Sequence, residues 1–197
     1  MPATLVAQAL ALATASGVSI YATVAVLGAA TRLGWIDTLP AGLQGVASWW
    51  VIALAATLYA VEFLATLVPG IASAWEAGHS FLRPVAGAAL AAATVWDGSP
   101  TLPLVAGLLG GTLALGSQAT KLGARVAIDA SPEPVTNGLA NVAELGYIGT
   151  IALLVWQHPY ITLTIALLVV VAIALAVRAV WRAVRRAAGG LRRDAAR

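Results

Sequence analysis

Long apolar stretches separated by short polar turns dominate the sequence. They predict six helices, at residues 4–30, 46–68, 81–96, 102–126, 136–157 and 160–182. Five of these helices reach the roughly 20 residues that a helix needs to cross a bilayer. The third is shorter and opens at Arg83-Pro84, where proline fits a first helical turn. The pattern therefore predicts an all-α, polytopic integral membrane protein with six transmembrane helices.

The composition supports this class. Of the 197 residues, 60% are hydrophobic and 10% are charged, whereas a soluble domain usually has about 25% charged residues. Cysteine is absent, which excludes disulfides and thiolate metal sites. We expect a single transmembrane domain over residues 1–182, with approximate halves 4–97 and 102–182, and a basic cytoplasmic tail over 183–197. Its partners are then membrane lipids, and we expect no nucleic acid.

The positions of the cations predict the orientation. With both termini cytoplasmic, ten of the eleven Lys and Arg residues lie inside and only Arg32 lies outside, which fits the excess of cations in cytoplasmic loops. Arg178, Arg182 and Arg186 share one helical face at the start of the basic tail. Such a face attracts anionic lipid by about 1 kcal/mol per residue near the surface. We interpret the tail as an anchor and topology determinant, with recruitment of a partner as the alternative.

One carboxylate in each half raises the question of an inverted repeat. Glu62 lies in the second predicted helix and Glu144 in the fifth, each the middle helix of three. Three spans per half would invert the second half relative to the first. Against strict symmetry, Glu62 comes late in its helix and Glu144 early. A three-plus-three inverted repeat and an unrelated pair of halves both stay open.

Glu62 and Glu144 are also the most informative residues for function, because an acid at a helix centre costs about 2.5–3.5 kcal/mol to insert. The functional interpretation is a cation or proton site formed by both carboxylates. The structural alternative is that each acid is neutral or paired and fixes helix packing. Lys121 is the natural partner for Glu144, but it could instead extend to the inner interface. Three further polar residues could line an access path or form hydrogen bonds between helices: Thr66, Ser117 and Gln118.

The segment at residues 69–80 is too polar to face lipid and predicts a short interfacial or re-entrant segment. Glu76 and His79 have the i, i+3 spacing of carboxylate and histidine metal ligands. A solvated or hydrogen-bonded loop is the alternative, and the identity of any metal stays unknown. Arg83, the next interfacial polar residue, could bind a lipid phosphate or simply follow the positive-inside rule. No cofactor is expected.

One stretch of the chain is similar to a known signature. Residues 78–87, Gly-His-Ser-Phe-Leu-Arg-Pro-Val-Ala-Gly, resemble the His-Thr-Phe-(Leu/Ile)-Arg-Pro-x-Ala-Gly signature of a bacterial membrane family, domain of unknown function 4126. Glu62 with Ala65, Pro69 and Gly70 is similar to the family's Glu-x-x-Ala-Asp-Lys-x-Pro-Gly stretch. The family's pattern in the fourth and fifth helices is matched by Ser117, Lys121 and Glu144.

The resemblance covers roughly residues 8–180 and implies a small polytopic protein of the bacterial cytoplasmic membrane, with no activity attached. The chain departs from the family's pattern at three positions. Thr66 and Leu67 stand where the family typically has Asp-Lys, and Ser19 stands where arginine is common. The chain is more remotely similar to cation exchangers that are built from two inverted Glu-x-Gly-Asp-Lys-Thr repeats. It lacks the Asp-Lys of that motif.

Three hypotheses for function follow. The first is a transporter or channel for a small solute or cation that uses Glu62 and Glu144. The second is a non-transporting membrane scaffold or accessory subunit. The third is an enzyme acting on lipid head groups at the inner interface, and the sequence favours a non-enzyme without deciding the matter. Gly107 and Gly111 have the small-xxx-small spacing of close helix packing, and we expect a homo-oligomer.

Overall fold

The computed structural model of the chain describes residues 2–68, 70–129 and 134–194. These residues form eight α-helices and one short 3₁₀ helix, Ala41–Ala47. The α-helices are α1 (Pro2–Val18), α2 (Ile20–Arg32), α3 (Trp49–Thr66), α4 (Ile71–Gly78), α5 (Leu82–Thr94), α6 (Thr101–Asp129), α7 (Pro134–Leu154) and α8 (Pro159–Asp194). Within these ranges there is no β-strand, so the predicted all-α class is confirmed. Pro69, at the start of the predicted interfacial segment, and residues 195–197 of the predicted tail lie outside the described residues.

All six predicted helices occur as helical segments, and the structure differs from the prediction in three places. The first, predicted as continuous over 4–30, is interrupted at Ser19 and forms α1 and α2. Ser19 has an extended backbone (φ −154°, ψ 116°), and its side chain accepts a hydrogen bond from the N–H of Ala22, so it caps α2. The predicted interfacial segment at residues 69–80 contains the two-turn helix α4. The last predicted helix continues past residue 182, so the described part of the basic tail extends α8.

Small residues let α1, α5 and α6 pack closely together at the centre of the bundle. A Cβ atom added to Gly17 of α1 would lie 2.4 Å from the carbonyl oxygen of Ala114 on α6. On α6, a Cβ atom added to Gly107 would lie 3.4 Å from the carbonyl oxygen of Ala88 on α5. A Cβ atom added to Gly111 would lie 3.2 Å from the Cβ of the same alanine. The close helix packing predicted from the spacing of these two glycines is confirmed.

The distribution of apolar and charged side chains is the reverse of that in a water-soluble protein. Leu54 on α3, Leu108 on α6 and Leu168 on α8 are each more than 60% exposed. Glu76 and Arg83, in contrast, are 0% and 1% exposed. Charged residues are almost never fully buried in soluble proteins unless they are paired, and large exposed apolar surfaces indicate contact with a membrane or a protein.

Among the described residues, three helical segments are long and apolar enough to cross a membrane: Trp49–Thr66, Thr101–Val126 and Pro159–Ala176. Together with the exposed apolar side chains, they indicate a membrane protein. Two shorter apolar helices, Ala3–Val18 and Ile20–Arg32, lie on either side of the break at Ser19. The count of six spans and the cytoplasmic location of both termini stay predictions.

The two halves of the chain differ in their helices. The first half begins with the interrupted pair α1 and α2, whereas the second begins with the continuous helix α6. The short helix α4 lies between α3 and α5, whereas only residues 155–158 connect α7 to α8. The three-plus-three inverted repeat therefore stays a prediction.

Candidate functional site

Six ionisable side chains meet in the interior of the helix bundle and form what we call the ion cluster. They come from five helices: Glu62 of α3, Glu76 of α4, Arg83 of α5, Lys121 and Arg125 of α6, and Glu144 of α7. Five of the side chains are at most 4% exposed, and that of Glu144 is 21% exposed. Three positive and three negative groups give the cluster no formal net charge.

Arg83 joins the acids of α3 and α4. Its Nη2 donates to Glu62 Oε1, and both of its terminal nitrogens donate to Glu76. Nη1 also donates to the side-chain oxygen of Gln118 on α6. Gln118 in turn donates from Nε2 to the backbone carbonyl of Glu76, at 3.3 Å. Since these partners lie on three helices, the guanidinium fixes the position of α5 relative to α3, α4 and α6.

Lys121 occupies the centre of the ion cluster. Its Nζ lies 3.3 Å from Glu62 Oε1, 3.0 Å from Glu76 Oε1 and 3.0 Å from Glu144 Oε2. The same nitrogen donates to the backbone carbonyl of Val18, 2.9 Å away, at the end of α1. A single ammonium group thus connects all three acids with the interrupted helix.

The interruption between α1 and α2 is stabilised by contacts from distant helices. Ser19 Oγ accepts from the N–H of Ala22 at 3.2 Å and donates to Glu62 Oε2 at 2.5 Å. Lys121 satisfies the carbonyl of Val18 that the break leaves without a helical partner. Irregular backbone is tolerated at membrane depth only where protein or water satisfies it, and here the side chains of Ser19 and Lys121 do so.

Arg125 extends the network towards α7. Its Nη2 donates to Glu144 Oε1 at 2.8 Å and also to the side-chain oxygen of Asn141, while Nη1 lies 3.4 Å from Asn137 Oδ1. Asn141 Nδ2 donates to Thr66 Oγ1 at 2.9 Å. This chain of hydrogen bonds links α6 through α7 to the end of α3.

Every carboxylate oxygen of the cluster has a polar partner. The two oxygens of Glu62 meet Arg83, Lys121 and Ser19, and those of Glu76 meet Arg83 and Lys121. Those of Glu144 meet Arg125 and Lys121. Burial by itself raises the pKa of Glu76, but the positive charges of Lys121 and Arg83 outweigh this effect and hold its pKa below the usual range. Each acid of the cluster therefore lies against at least one cation.

A cavity of about 300 Å³ adjoins the Lys121 side of the cluster, between α6, α7, α8 and the end of α1. Lys121, Arg125 and Glu144 are its charged lining residues, and Ser117 also faces it. The rest of the wall is mostly apolar and includes Val18, Ala140, Ala143, Val169, Val170 and Ile173. A largely apolar pocket with a few convergent polar groups is the common form of a small-molecule site.

The sequence profile of the family described as domain of unknown function (DUF4126) matches residues 6–179. This match covers most of the chain and includes all six residues of the ion cluster. The chain belongs to this family. The resemblance drawn from the residues around Glu62, Arg83 and Glu144 is thereby confirmed. No curated protein and no solved structure matches the chain.

In this DUF4126 protein, the structure brings together most of the site residues named from the sequence. Lys121 contacts both Glu62 and Glu144, so these two acids meet through a shared cation. Gln118 contacts Arg83 in the same cluster. Thr66 reaches the network through Asn141, and Ser117 lies at the cavity.

The three residues named as interfacial are separated by the structure. Glu76 and Arg83 lie in the ion cluster, where their charges compensate each other. His79 lies apart from it: its ring stacks on Trp75 at 4.4 Å, Nε2 is 3.1 Å from the Tyr21 hydroxyl and Nδ1 is 2.8 Å from the Trp75 carbonyl. In the described ranges, no group of three candidate metal ligands occurs.

The buried positions of three cations change the orientation argument for this DUF4126 protein. Arg83, Lys121 and Arg125 were counted among the ten inner cations, but all three are bound within the ion cluster. The predicted cytoplasmic location of the termini therefore depends on the seven arginines from Arg178 onward, compared with Arg32.

Sequence reasoning missed Arg125, Asn141 and Ser19 as site residues. The spacing of polar residues along two helices carries a usable signal. Gln118, Lys121 and Arg125 on α6 are spaced i, i+3, i+7, which places them on one helical face. On α7, the spacing i, i+4, i+7 likewise places Asn137, Asn141 and Glu144 on one face of their own helix.

Two of the three departures from the family's pattern lie beside the cluster. Ser19 donates to Glu62, and Thr66 is bonded to Asn141. Where an arginine and an acid are typical of the family, this member places two hydroxyl groups.

Proposed function

We propose that this DUF4126 protein is a membrane transporter for a small charged solute, with the ion cluster and its adjoining cavity as the central site. The observation that carries the proposal is the position of Lys121. Its ammonium bridges Glu62, Glu76 and Glu144, and Lys121 also lines the cavity. Intramembrane ionisable groups with named partners are functional by default, because their insertion is costly.

The pairing of charges defines how a solute would act. Glu144 is the most exposed acid of the cluster, and it shares Lys121 and Arg125 as partners. A cationic solute in the cavity competes with Lys121 for Glu144, whereas an anionic solute competes with Glu144 for Arg125. In either case the displaced group keeps other partners: Lys121 keeps Glu62 and Glu76, and Glu144 keeps Lys121.

The interrupted helix supports the same proposal. Transporters commonly place discontinuous helices at a central site, where the helix ends present unpaired backbone groups to a substrate. Here Lys121 binds the free carbonyl of Val18, and Ser19 binds Glu62. A substrate that moves Lys121 therefore alters the contacts of both the acids and the helix break.

Flux through purified protein in liposomes tests the proposal. The assay screens protons, monovalent and divalent cations, and small organic anions. We expect Glu144→Gln to abolish flux, because glutamine keeps the size of the side chain and removes its charge. Asp97→Asn, the same change at an exposed acid in the turn after α5, serves as the matched control and should keep full flux. Normal flux in Glu144→Gln would contradict the proposal, and an inert protein that retains a partner in mild detergent would favour the scaffold hypothesis.

A further inference from the structure

The polar side chains around the cavity turn their polar atoms away from it. Lys121 Nζ is held by three acids and a backbone carbonyl, and the terminal nitrogens of Arg125 are bound to side chains of α7. Arg125 Nε and Ser117 Oγ are themselves inaccessible. The surface that the cavity offers to a ligand is therefore almost entirely apolar.

The size of the cavity and its apolar wall together favour an apolar occupant. Its volume is about 300 Å³, whereas an apolar cavity of about 150 Å³ already holds benzene. Water is a poor occupant here, because a buried water needs two to four polar partners. Side chains around an empty space lose van der Waals contacts, and an apolar guest restores them.

The position of the cavity identifies the available guest. Most of its α6 wall and all of its α8 wall belong to two segments that are long and apolar enough to cross a membrane, Thr101–Val126 and Pro159–Ala176. Ala143 of α7 and Ile173 of α8 line the cavity and are themselves exposed. The cavity therefore opens sideways between α7 and α8, where acyl chains of the bilayer surround a membrane protein.

The inner end of the cavity lies against the centre of the bundle. Val18, the last residue of α1, lines it there. Tyr147 of α7 lines it as well, and its hydroxyl donates to Thr14 of α1 at 3.0 Å. A chain inside the cavity contacts Val18 and Tyr147, whereas lipid around the bundle contacts outward residues such as Leu168, which is 62% exposed.

We propose that the cavity binds one acyl chain of a bilayer lipid, which enters sideways between α7 and α8. The chain extends from Ala143 and Ile173 at the opening to Val18 and Tyr147 at the inner end. The head group stays outside the cavity, so lipids with different head groups bind alike. This inference goes beyond the proposed function and does not depend on it. A bound chain occupies the space beside Lys121 and competes with any solute there.

Photocrosslinking in nanodiscs tests the inference. The probe is a phosphatidylcholine that carries a diazirine on one acyl chain, and mass spectrometry maps its adducts. We expect adducts on Val18 and Tyr147 as well as on Leu168. Ala143→Leu places three further carbon atoms at the opening and should lower the two inner adducts about tenfold. The Leu168 adduct should persist in this variant, which shows that the protein is still folded in the bilayer.

A matched control adds the same side chain away from the cavity. Ala119 is an exposed residue of α6 that does not line the cavity, so Ala119→Leu should keep both inner adducts. Adducts confined to outward residues in the wild type would overturn the inference, as would equal inner adducts in Ala143→Leu and the wild type. A phosphatidylglycerol probe should give the same inner adducts. Inner adducts from only one of the two head groups would show that the acyl chain is not what the site recognises.

Lipid binding and transport can fail independently. Inner adducts without flux of any solute would support the acyl-chain site and contradict the proposed transporter. Flux that depends on Glu144, together with no inner adducts, would support the transporter and overturn only the acyl-chain site.

Discussion

Lys121 Nζ donates a hydrogen bond to the backbone carbonyl oxygen of Val18, 2.9 Å away, although the two residues are 103 positions apart. Val18 is the last residue of α1, and the carbonyl would otherwise be unsatisfied where the helix stops. An unpaired backbone group in an apolar environment costs several kcal/mol. The same ammonium neutralises acids on three other helices. The conformation of the interrupted helix is therefore coupled to the charge balance of the ion cluster.

This coupling predicts a large effect of Lys121→Met. The variant leaves Glu62, Glu76 and Glu144 with two cations and leaves the Val18 carbonyl without a donor. We expect the free energy of unfolding to fall by about 3–5 kcal/mol, as when one partner of a buried ion pair is removed. Unfolding in mixed lipid and detergent micelles measures this change, and Arg178→Gln at the exposed start of the tail is the control.

A second substitution tests whether Lys121→Met loses stability through the missing charge or through the changed size of the side chain. In Lys121→Met combined with Glu76→Gln, Arg83 still pairs with Glu62 and Arg125 with Glu144, so part of the lost stability should return. The double variant would then be more stable than Lys121→Met alone, a non-additive result expected for residues in one network. A double variant less stable than either single variant would contradict the ion-pair account.

The close approach of α1 and α6 predicts an asymmetric response of two glycines. Gly17→Ala would place a Cβ atom 2.4 Å from the carbonyl oxygen of Ala114 and 2.7 Å from Ser117 Cβ. Since helix backbones would have to move apart, we expect a loss of about 1–3 kcal/mol in the free energy of unfolding. The measurement is unfolding in the same micelles.

Gly116→Ala is the matched control on α6, because no atom lies within 4 Å of its added Cβ. Alanine there should leave stability unchanged or raise it by about 0.5–1 kcal/mol, since glycine in a helix interior is less favourable than alanine. Equal losses for Gly17→Ala and Gly116→Ala would show that helix packing is not the cause.

The cap of α2 gives a local prediction. Ser19→Ala removes the acceptor for the N–H of Ala22 and the hydroxyl donor to Glu62. We expect a loss of about 1 kcal/mol, typical of a removed N-cap, and faster hydrogen exchange at the start of α2. Thr112→Ala is a suitable control, because that exposed hydroxyl bonds only within its own helix, to Leu108. Unchanged exchange around Ala22 would count against the capping role.

The positions of the helices could be predicted because apolar runs and prolines are local signals. The break at Ser19 could not, because its stabilising partners are Glu62 and Lys121, which are distant in sequence. A serine between apolar residues is equally compatible with a continuous helix. The tertiary contacts decide between these two backbones, and hydrophobic pattern alone contains no information about them.

The same reasoning explains what the sequence revealed about the site. Glu62 and Glu144 stood out because each is the only charge in a long apolar run. Arg83 and Glu76 did not, because their surroundings are polar enough to be interpreted as an interfacial segment. Their burial depends on mutual compensation, which a hydropathy pattern does not register. Arg125 was counted as an inner cation for the same reason.

The orientation of the chain gives the last prediction, and the absence of cysteine makes it directly testable. Single cysteines introduced at exposed positions can be labelled from one side of intact cells with a membrane-impermeant maleimide. If both termini are cytoplasmic, Arg185→Cys on α8 is protected until the cells are opened. Asp97→Cys, after α5, and Gln157→Cys, before α8, should be labelled from outside. Labelling of Asp97→Cys and Gln157→Cys on opposite sides would mean that α6 and α7 do not return the chain to the same face, and the six-span topology would be wrong.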